Sequence, residues 1–557
     1  MAFGVVDKQK VKKRICINID GTWMSADNGD RDADSGEGVT PSNATRIGRA
    51  TLGEDPKTGM EQIVYYQSGV GTNEDFLNTG ISGMTGNGLR ENLREAYGFL
   101  ANNYDVGDEI YITGYSRGAY QARSLAGLIG KVGILTKKGM DKFYSVFDKY
   151  EKEVYIDVKA MELAGETRKN YRDKTGEAAK PITIKAVAVW ETVGALGIPY
   201  WTNLGNWATS FIKDYSFHDV KLGKHMENAF HALALNEHRD PYTPTLWENP
   251  KSSKVTTVNY EQCWFVGDHA GVGGGWDDTG TADISLAWMM SRLEALGLAF
   301  DKEYIFRVHE KSLDYYTRKK KLPRQWAEGQ TYAEAAGSAY VNPLKLRSKA
   351  QRSPMQYDRV DPDTTNWIDE ALEETNETIH PSVRYRLYGK NEGKKLGAYD
   401  KADFNPGGLF GWSPPLKDDA KGFVGAKAAT VLGPPGNTAG SAGTATPAPK
   451  PKNLGANLEP KSTGKVWTKL VPKVEVSAGS FIGGWGAHKE RPKRDLNLHE
   501  SDLGYYEQLL LALYDQQTEE FKGVWKAVLG EDGPPAALLT TIKDLQTAKD
   551  GTEGLKE

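Results

Sequence analysis

The stretch D-E-I-Y-I-T-G-Y-S-R-G-A-Y-Q-A-R-S-L-A-G-L, residues Asp108–Leu128, opens on a short apolar run and closes on a helical pattern. Glu109–Thr113 is rich in β-branched and aromatic residues, and Ala119–Ile129 repeats apolar residues at three- and four-residue spacing. A strand therefore passes into a helix, and Ser116 sits on the turn inside Gly-x-Ser-x-Gly. A turn of this kind strains the serine backbone and presses helix against strand, so Gly114 and Gly118 stand where a Cβ would clash. Ser116 is thereby a candidate nucleophile.

The same alternation extends on both sides. Ile15–Ile19, Ile63–Tyr66, Ile182–Trp190 and Gln262–Val266 read as further strands, while Leu89–Tyr104, His225–Glu237 and Ala282–Leu298 read as helices with one buried face. This is the pattern of an α/β fold, a mostly parallel sheet flanked by helices. From about residue 311 the alternation fades, which predicts large helical or irregular insertions toward the C-terminus. The expected organisation is a catalytic core over 12–310, an extension over 311–432, a flexible Pro/Gly/Ala-rich linker over 433–460, and a C-terminal segment over 461–557. Within that last segment Tyr505–Leu529 reads as an amphipathic helix, and the final residues from Thr547 read as frayed. Tyr315–Pro323 carries a basic run that reads as a solvated loop.

A serine hydroxyl needs a base, and α/β-hydrolases supply Ser, then Asp or Glu, then His, each just past a strand end. The apolar run Ile182–Trp190 exits into W-E-T-V-G, which offers Glu191; Gln262–Val266 exits into G-D-H-A-G-V-G-G-G, which offers His269. Three residues from three strand exits converge on one edge of a parallel sheet, where open α/β folds place their sites. Asp268, Asp277, Asp278 and Asp219 stay open as alternatives to Glu191 for the acid. For the oxyanion, the backbone N–H of Arg117 is one expected donor and that of Gly21 or Thr22, after the first strand, is the other.

Competing chemistries fit less well. The glycines after His269 do not make Gly-x-Gly-x-x-Gly, because position 276 is tryptophan. I-N-I-D-G-T resembles the loop of haloacid-dehalogenase-type phosphatases, yet Asn18 stands where an aspartate would attack phosphorus, and an amide forms no phosphoaspartate. His225, His231 and His238 lack the four-residue spacing of a helical zinc site. No cofactor is expected. A net charge of −4 over 557 residues gives no general support for a nucleic-acid partner. Cys16 and Cys263 are too few for a disulfide framework, and no apolar leader or run of about 18 apolar residues occurs, so the expected location is cytoplasmic with no transmembrane segment.

Taken together, I-D-G-T-W, Y-Y-Q-S-G-V-G-T, G-Y-S-R-G-A-Y-Q-A-R, V-W-E-T-V-G-A-L-G, A-F-H-A-L-A-L-N-E-H-R and W-F-V-G-D-H-A-G-V-G-G-G resemble one family. It is the domain-of-unknown-function α/β-hydrolase family that includes type VI secretion phospholipase effectors and uncharacterised eukaryotic proteins. The similarity spans residues 12 to 300, with a fainter echo at His380–Leu387. It implies an ester hydrolase with a Ser-Asp-His triad, carried here by Ser116, Glu191 and His269. This chain has W-E-T-V-G where the family usually has W-D-T-V-G, and Gly271 where bacterial members often carry aspartate. The expected substrate is an ester or lipid, with transient contact at a membrane surface; Ile198–Ile212 has an apolar helical face suited to a lid or to a core helix. Arg117 and Arg123 near the elbow suit a phosphate head group, and an ion pair is the other role for Arg123. The alternative to an esterase is a catalytically idle hydrolase fold serving as an interaction module.

Overall fold

A computed structural model describes residues 12–21, 40–69, 86–152, 154–171, 180–193, 222–237, 242–249, 258–331, 352, 354–360, 367–388, 460–471, 494–517 and 522–553. Strands β1 (Lys13–Ile19), β2 (Glu61–Gln67), β3 (Glu109–Tyr115), β4 (Ala186–Trp190), β5 (Asn228–Ala234), β6 (Asn259–Phe265), β7 (Glu377–Ile379), β8 (Val466–Val471) and β9 (Arg494–Glu500) form one sheet. Their order is β8-β9-β7-β6-β5-β4-β3-β1-β2. All neighbours pair in parallel except β8, which runs antiparallel to β9 at the edge. The fold is α/β, a mostly parallel sheet flanked by helices, and three of its strands lie beyond the point where the sequence alternation fades.

Period-two side-chain alternation divides the core between the two faces of the sheet. Ile15, Ile17 and Ile19 of β1, with Ile110 and Ile112 of β3, pack against Leu93, Tyr97 and Leu100 of one helix and Leu125 and Ile129 of another. Cys16, Tyr111, Ala188 and Trp190 point to the opposite face, with Ile47, Trp288 and Leu509. The helices concerned are α1 (Asn43–Ala50), α2 (Gly86–Asn103), α3 (Arg117–Val132), α4 (His269–Gly273), α5 (Gly280–Ala295), α6 (Lys302–Arg318), α7 (Pro381–Tyr388), α8 (Tyr505–Gln517), α9 (Val524–Leu529) and α10 (Ala536–Glu553). Thus α2 and α3 cover one face, and α1, α5 and α8 the other. Both cysteines are buried and free, and burial pushes the Cys16 thiol up to about 12 and the Cys263 thiol well above its ordinary value.

Several expectations need correction. His225–Glu237 is no helix: it contains β5, whose seven residues are all buried. A central strand of a parallel sheet is apolar on both faces, so its sequence lacks a clean alternation and mimics helical spacing. Tyr505–Leu529 is two helices, with Gly523 at φ 90° immediately before α9. The C-terminal residues from Thr547 are not frayed as far as Glu553, where α10 ends. The basic run starts one turn earlier than a loop would, on the last turn of α6, and from Lys319 to Pro323 it is the solvated loop expected, with Lys319, Lys320 and Lys321 exposed. Ile198–Ile212, residues 433–459 of the linker, Thr22, Asp219 and His238 lie outside the described residues.

Candidate active site

The turn that carries Ser116 follows from its glycines. A Cβ on Gly114 would lie 2.4 Å from the Gly118 carbonyl oxygen, and one on Gly118 would lie 2.3 Å from the Ile19 carbonyl oxygen. Both obstacles are backbone, so α3 can approach β3 and β1 this closely only with glycine at these positions. Ser116 occupies φ 57°, ψ −121°, and its N–H donates to the Trp190 carbonyl at 3.0 Å. A non-glycine residue in this region stores strain of about 1–3 kcal/mol, and the neighbouring strand end holds it there.

Ser116 Oγ lies 2.8 Å from His269 Nε2, and His269 Nδ1 lies 3.1 Å from Glu191 Oε2. The three side chains leave the C-terminal ends of β3, β6 and β4, and all are buried: Ser116 is 8 % exposed, His269 5 % and Glu191 0 %. The Tyr115 ring packs on the imidazole at 4.9 Å between centroids and the Tyr242 ring meets it edge-on at 4.6 Å. The His269 N–H donates to Glu237 at 3.2 Å. Glu191, at φ 48°, is held by more than the histidine: its Oε1 accepts the Ala234 N–H at 2.7 Å. Its Oε2 accepts from Arg352 Nη2 at 2.8 Å, and the same nitrogen donates to the Tyr242 carbonyl at 2.6 Å. Beneath this loop, buried His231 accepts the Thr192 N–H on Nε2 at 3.1 Å, and its Nδ1 donates to Gln262 Oε1 at 3.2 Å.

Two of the other candidate acids, Asp268 and Asp278, are engaged elsewhere. Asp268 caps α4, accepting the Gly271 N–H at 2.6 Å and the Trp276 indole N–H at 3.2 Å. Asp278 accepts the Tyr316 hydroxyl at 2.5 Å and the Gln330 N–H at 3.0 Å. Of the expected oxyanion donors, Arg117 is the first residue of α3. Gly21 lies against Ser116, since a Cβ there would be 3.0 Å from that of the serine, and its N–H donates to Asp20 Oδ1 at 3.0 Å. Asp20 also accepts the hydroxyls of Ser42, Thr45 and Tyr66, tying the exit of β1 to α1 and β2. Burial raises its carboxyl above the usual range against those four donors. Arg123 places its guanidinium over Trp247, 4.6 Å from the ring centre, and donates to the Thr245 carbonyl at 2.5 Å.

A second Ser-His-Glu line runs through Ser382, His380 and Glu507, with His380 Nδ1 2.8 Å from Ser382 Oγ and Nε2 3.0 Å from Glu507. His380 is entirely enclosed, Ser382 and Glu507 are buried, and the Ser382 N–H itself donates to the ring at 3.1 Å. That arrangement opens α7 and ties it to α8 rather than presenting a nucleophile. Among the described residues no group of three His, Cys, Asp or Glu side chains is placed to hold a metal ion.

Residues 13–292 match the model of the family described as "T6SS, Phospholipase effector Tle1-like, catalytic domain". The chain belongs to this family. Arg352 and the strands β7, β8 and β9 lie beyond the matched region. It is also similar to the uncharacterized protein YEL023C of Saccharomyces cerevisiae, 27 % identical over 227 residues, which cover 36 % of this chain and 31 % of the yeast protein. The aligned part thus spans about a third of that relative's length. A crystal structure of an uncharacterized protein from Pseudomonas aeruginosa aligns at 16 % identity and a TM-score of 0.28, covering 56 % of this chain and 51 % of the other.

Sequence reasoning did not reach Arg352, Tyr242 or the Ala234 amide. Ala234 and Glu237 fall inside A-F-H-A-L-A-L-N-E-H-R, one of the stretches that carries the family resemblance, so that stretch held a signal. Arg352 stands in a region with no periodicity, where nothing in the sequence marks it.

Proposed function

We propose that this chain is a serine carboxylester hydrolase of the lipase and phospholipase type, working through an acyl-enzyme on Ser116. The observation that carries the reading is the continuous line from Ser116 Oγ to His269 Nε2 at 2.8 Å and from His269 Nδ1 to Glu191 at 3.1 Å. A carboxylate only accepts, so Nδ1 carries the proton toward Glu191 and Nε2 is left to accept from the serine hydroxyl. As Oγ bonds to the ester carbonyl carbon, its proton passes to Nε2 and the carbonyl oxygen becomes an oxyanion. The Arg117 amide at the positive end of α3 stabilises that charge, joined by Thr22 or by a Gly21 N–H released from Asp20 Oδ1. Collapse expels the alcohol, which takes the proton from the imidazolium. Water then gives a proton to Nε2 and attacks the acyl carbon, releasing the carboxylic acid and restoring Ser116.

Family membership supports an ester or lipid as substrate, and transient contact with a membrane surface belongs to the same proposal. A second reading, an idle hydrolase fold used as an interaction module, draws on the low exposure of Ser116 and His269. One experiment separates the two. A fluorophosphonate probe labels Ser116 in the wild type and fails on Ser116→Ala and His269→Ala, which also lose ester and phospholipid turnover by about a thousandfold or more. Folded wild-type protein that takes no label overturns the enzyme.

A further inference from the structure

Arg352 is the feature that the proposed mechanism leaves unused. It is 3 % exposed, and its guanidinium shares Glu191 Oε2 with the catalytic imidazole, at 2.8 Å against 3.1 Å. The same Nη2 reaches the carbonyl of Tyr242, whose ring lies edge-on against His269. A serine-histidine-acid site needs only the first three groups. Here a fourth, buried and cationic, joins the acid from a part of the chain some sixty residues past the matched family region.

We propose that Arg352 is a positioning residue of this site. It acts through Glu191, fixing the carboxylate and holding the imidazole neutral at lower pH than the acid alone would allow. The inference rests on the serine-hydrolase reading. Its physical basis is charge balance. A buried carboxylate facing one imidazole favours the imidazolium, because protonation completes an ion pair. With a guanidinium already on the same oxygen, that pair exists before His269 is protonated, and a second cation within about 6 Å is repelled. The free base, the form that accepts the Ser116 proton, then persists to lower pH. Tyr115 of β3 and Tyr242 pack on the ring, Glu237 beyond β5 accepts the backbone N–H of His269, and Asp268 is its chain neighbour. Among them Glu237 and Asp268 are further acids that favour the imidazolium, which leaves Arg352 as the group opposing it in this set.

The geometry also accounts for glutamate at position 191. One oxygen must meet the Ala234 amide of β5 while the other meets both the imidazole and the guanidinium. The longer side chain spans those partners from the exit of β4.

The test follows fluorophosphonate labelling of Ser116 against pH, in the full chain, for wild type, Arg352→Met and Arg352→Lys. Thermal unfolding of each variant accompanies the labelling. In Arg352→Met the acid limb of the labelling rate moves up by about one pH unit, so labelling on that limb falls about tenfold, while Arg352→Lys keeps the wild-type midpoint. Should Arg352→Met not fold, Arg352→Gln keeps a hydrogen bond to the acid, removes the charge and gives the same upward shift. Superimposable acid limbs in wild type and a folded neutral variant overturn the role of Arg352. Wild-type protein that never labels fails at the earlier step, the serine-hydrolase reading itself.

Discussion

Glu191 shows how one extra methylene can be matched by its surroundings. Its two oxygens take three donors from three parts of the chain, a backbone amide, an imidazole and a guanidinium. Replacing it by glutamine keeps the shape but puts an amide where His269 and Arg352 both donate. Glu191→Gln is expected to lower kcat by about ten thousandfold, as loss of the orienting acid does in such triads. Glu191→Asp retracts the carboxylate by about 1.5 Å, a misplacement that costs about a hundredfold. Turnover of p-nitrophenyl esters ranks the two, and a glutamine variant near the wild-type rate removes Glu191 from the mechanism. This residue was legible because a strand exit announced it. Arg352 was not, because an arginine that reaches the candidate site from outside regular structure carries no local pattern.

The elements that meet at Ser116 are held at backbone contact. Gly118 faces the carbonyl oxygens of Ile19 and Asp20, at 2.3 and 2.5 Å from where a Cβ would stand. Neither is the end of a flexible side chain, so Gly118→Ala must push α3 off β1. A loss of about 2–3 kcal/mol in urea unfolding is expected, with slower labelling of Ser116. Unchanged stability would mean that the elbow tolerates a methyl group. The elbow was readable because strand, turn and helix each carry a distinct signal within Asp108–Leu128. β5 was misread for the opposite reason: buried on both faces, it presents N-A-F-H-A-L-A with no polar side to set the period. His231 sits in that run as a strand residue beneath the acid loop, a position that helical spacing could not suggest.

At the scale of the molecule, the sheet is finished by segments far from its start. β7 and β9 extend it beyond β6, Arg384 of α7 pairs with Glu500 of β9 at 2.8 Å, and the indole of Trp288 in α5 donates to Ser501 at 3.1 Å. The first part of this architecture was plain in the alternation of runs, whereas β7 is three residues long and too short to register. The interior also sets a pH dependence. Burial holds His225 and His309 down at about 4, and His231 well below 6.5, so each is neutral in the fold and takes a proton more readily when unfolded. Their contribution is complete above pH 6.5 and is lost as the pH falls from there toward 4. The urea midpoint at pH 5 is expected below that at pH 7, and equal midpoints contradict it. The two thiols make such openings visible. Cys16 and Cys263 belong to strands on opposite sides of the β3–β4 pair, each sealed and held in the protonated, unreactive form. An alkylating reagent therefore meets neither while the sheet is intact, and modification at one position before the other tells which side of the sheet parted first.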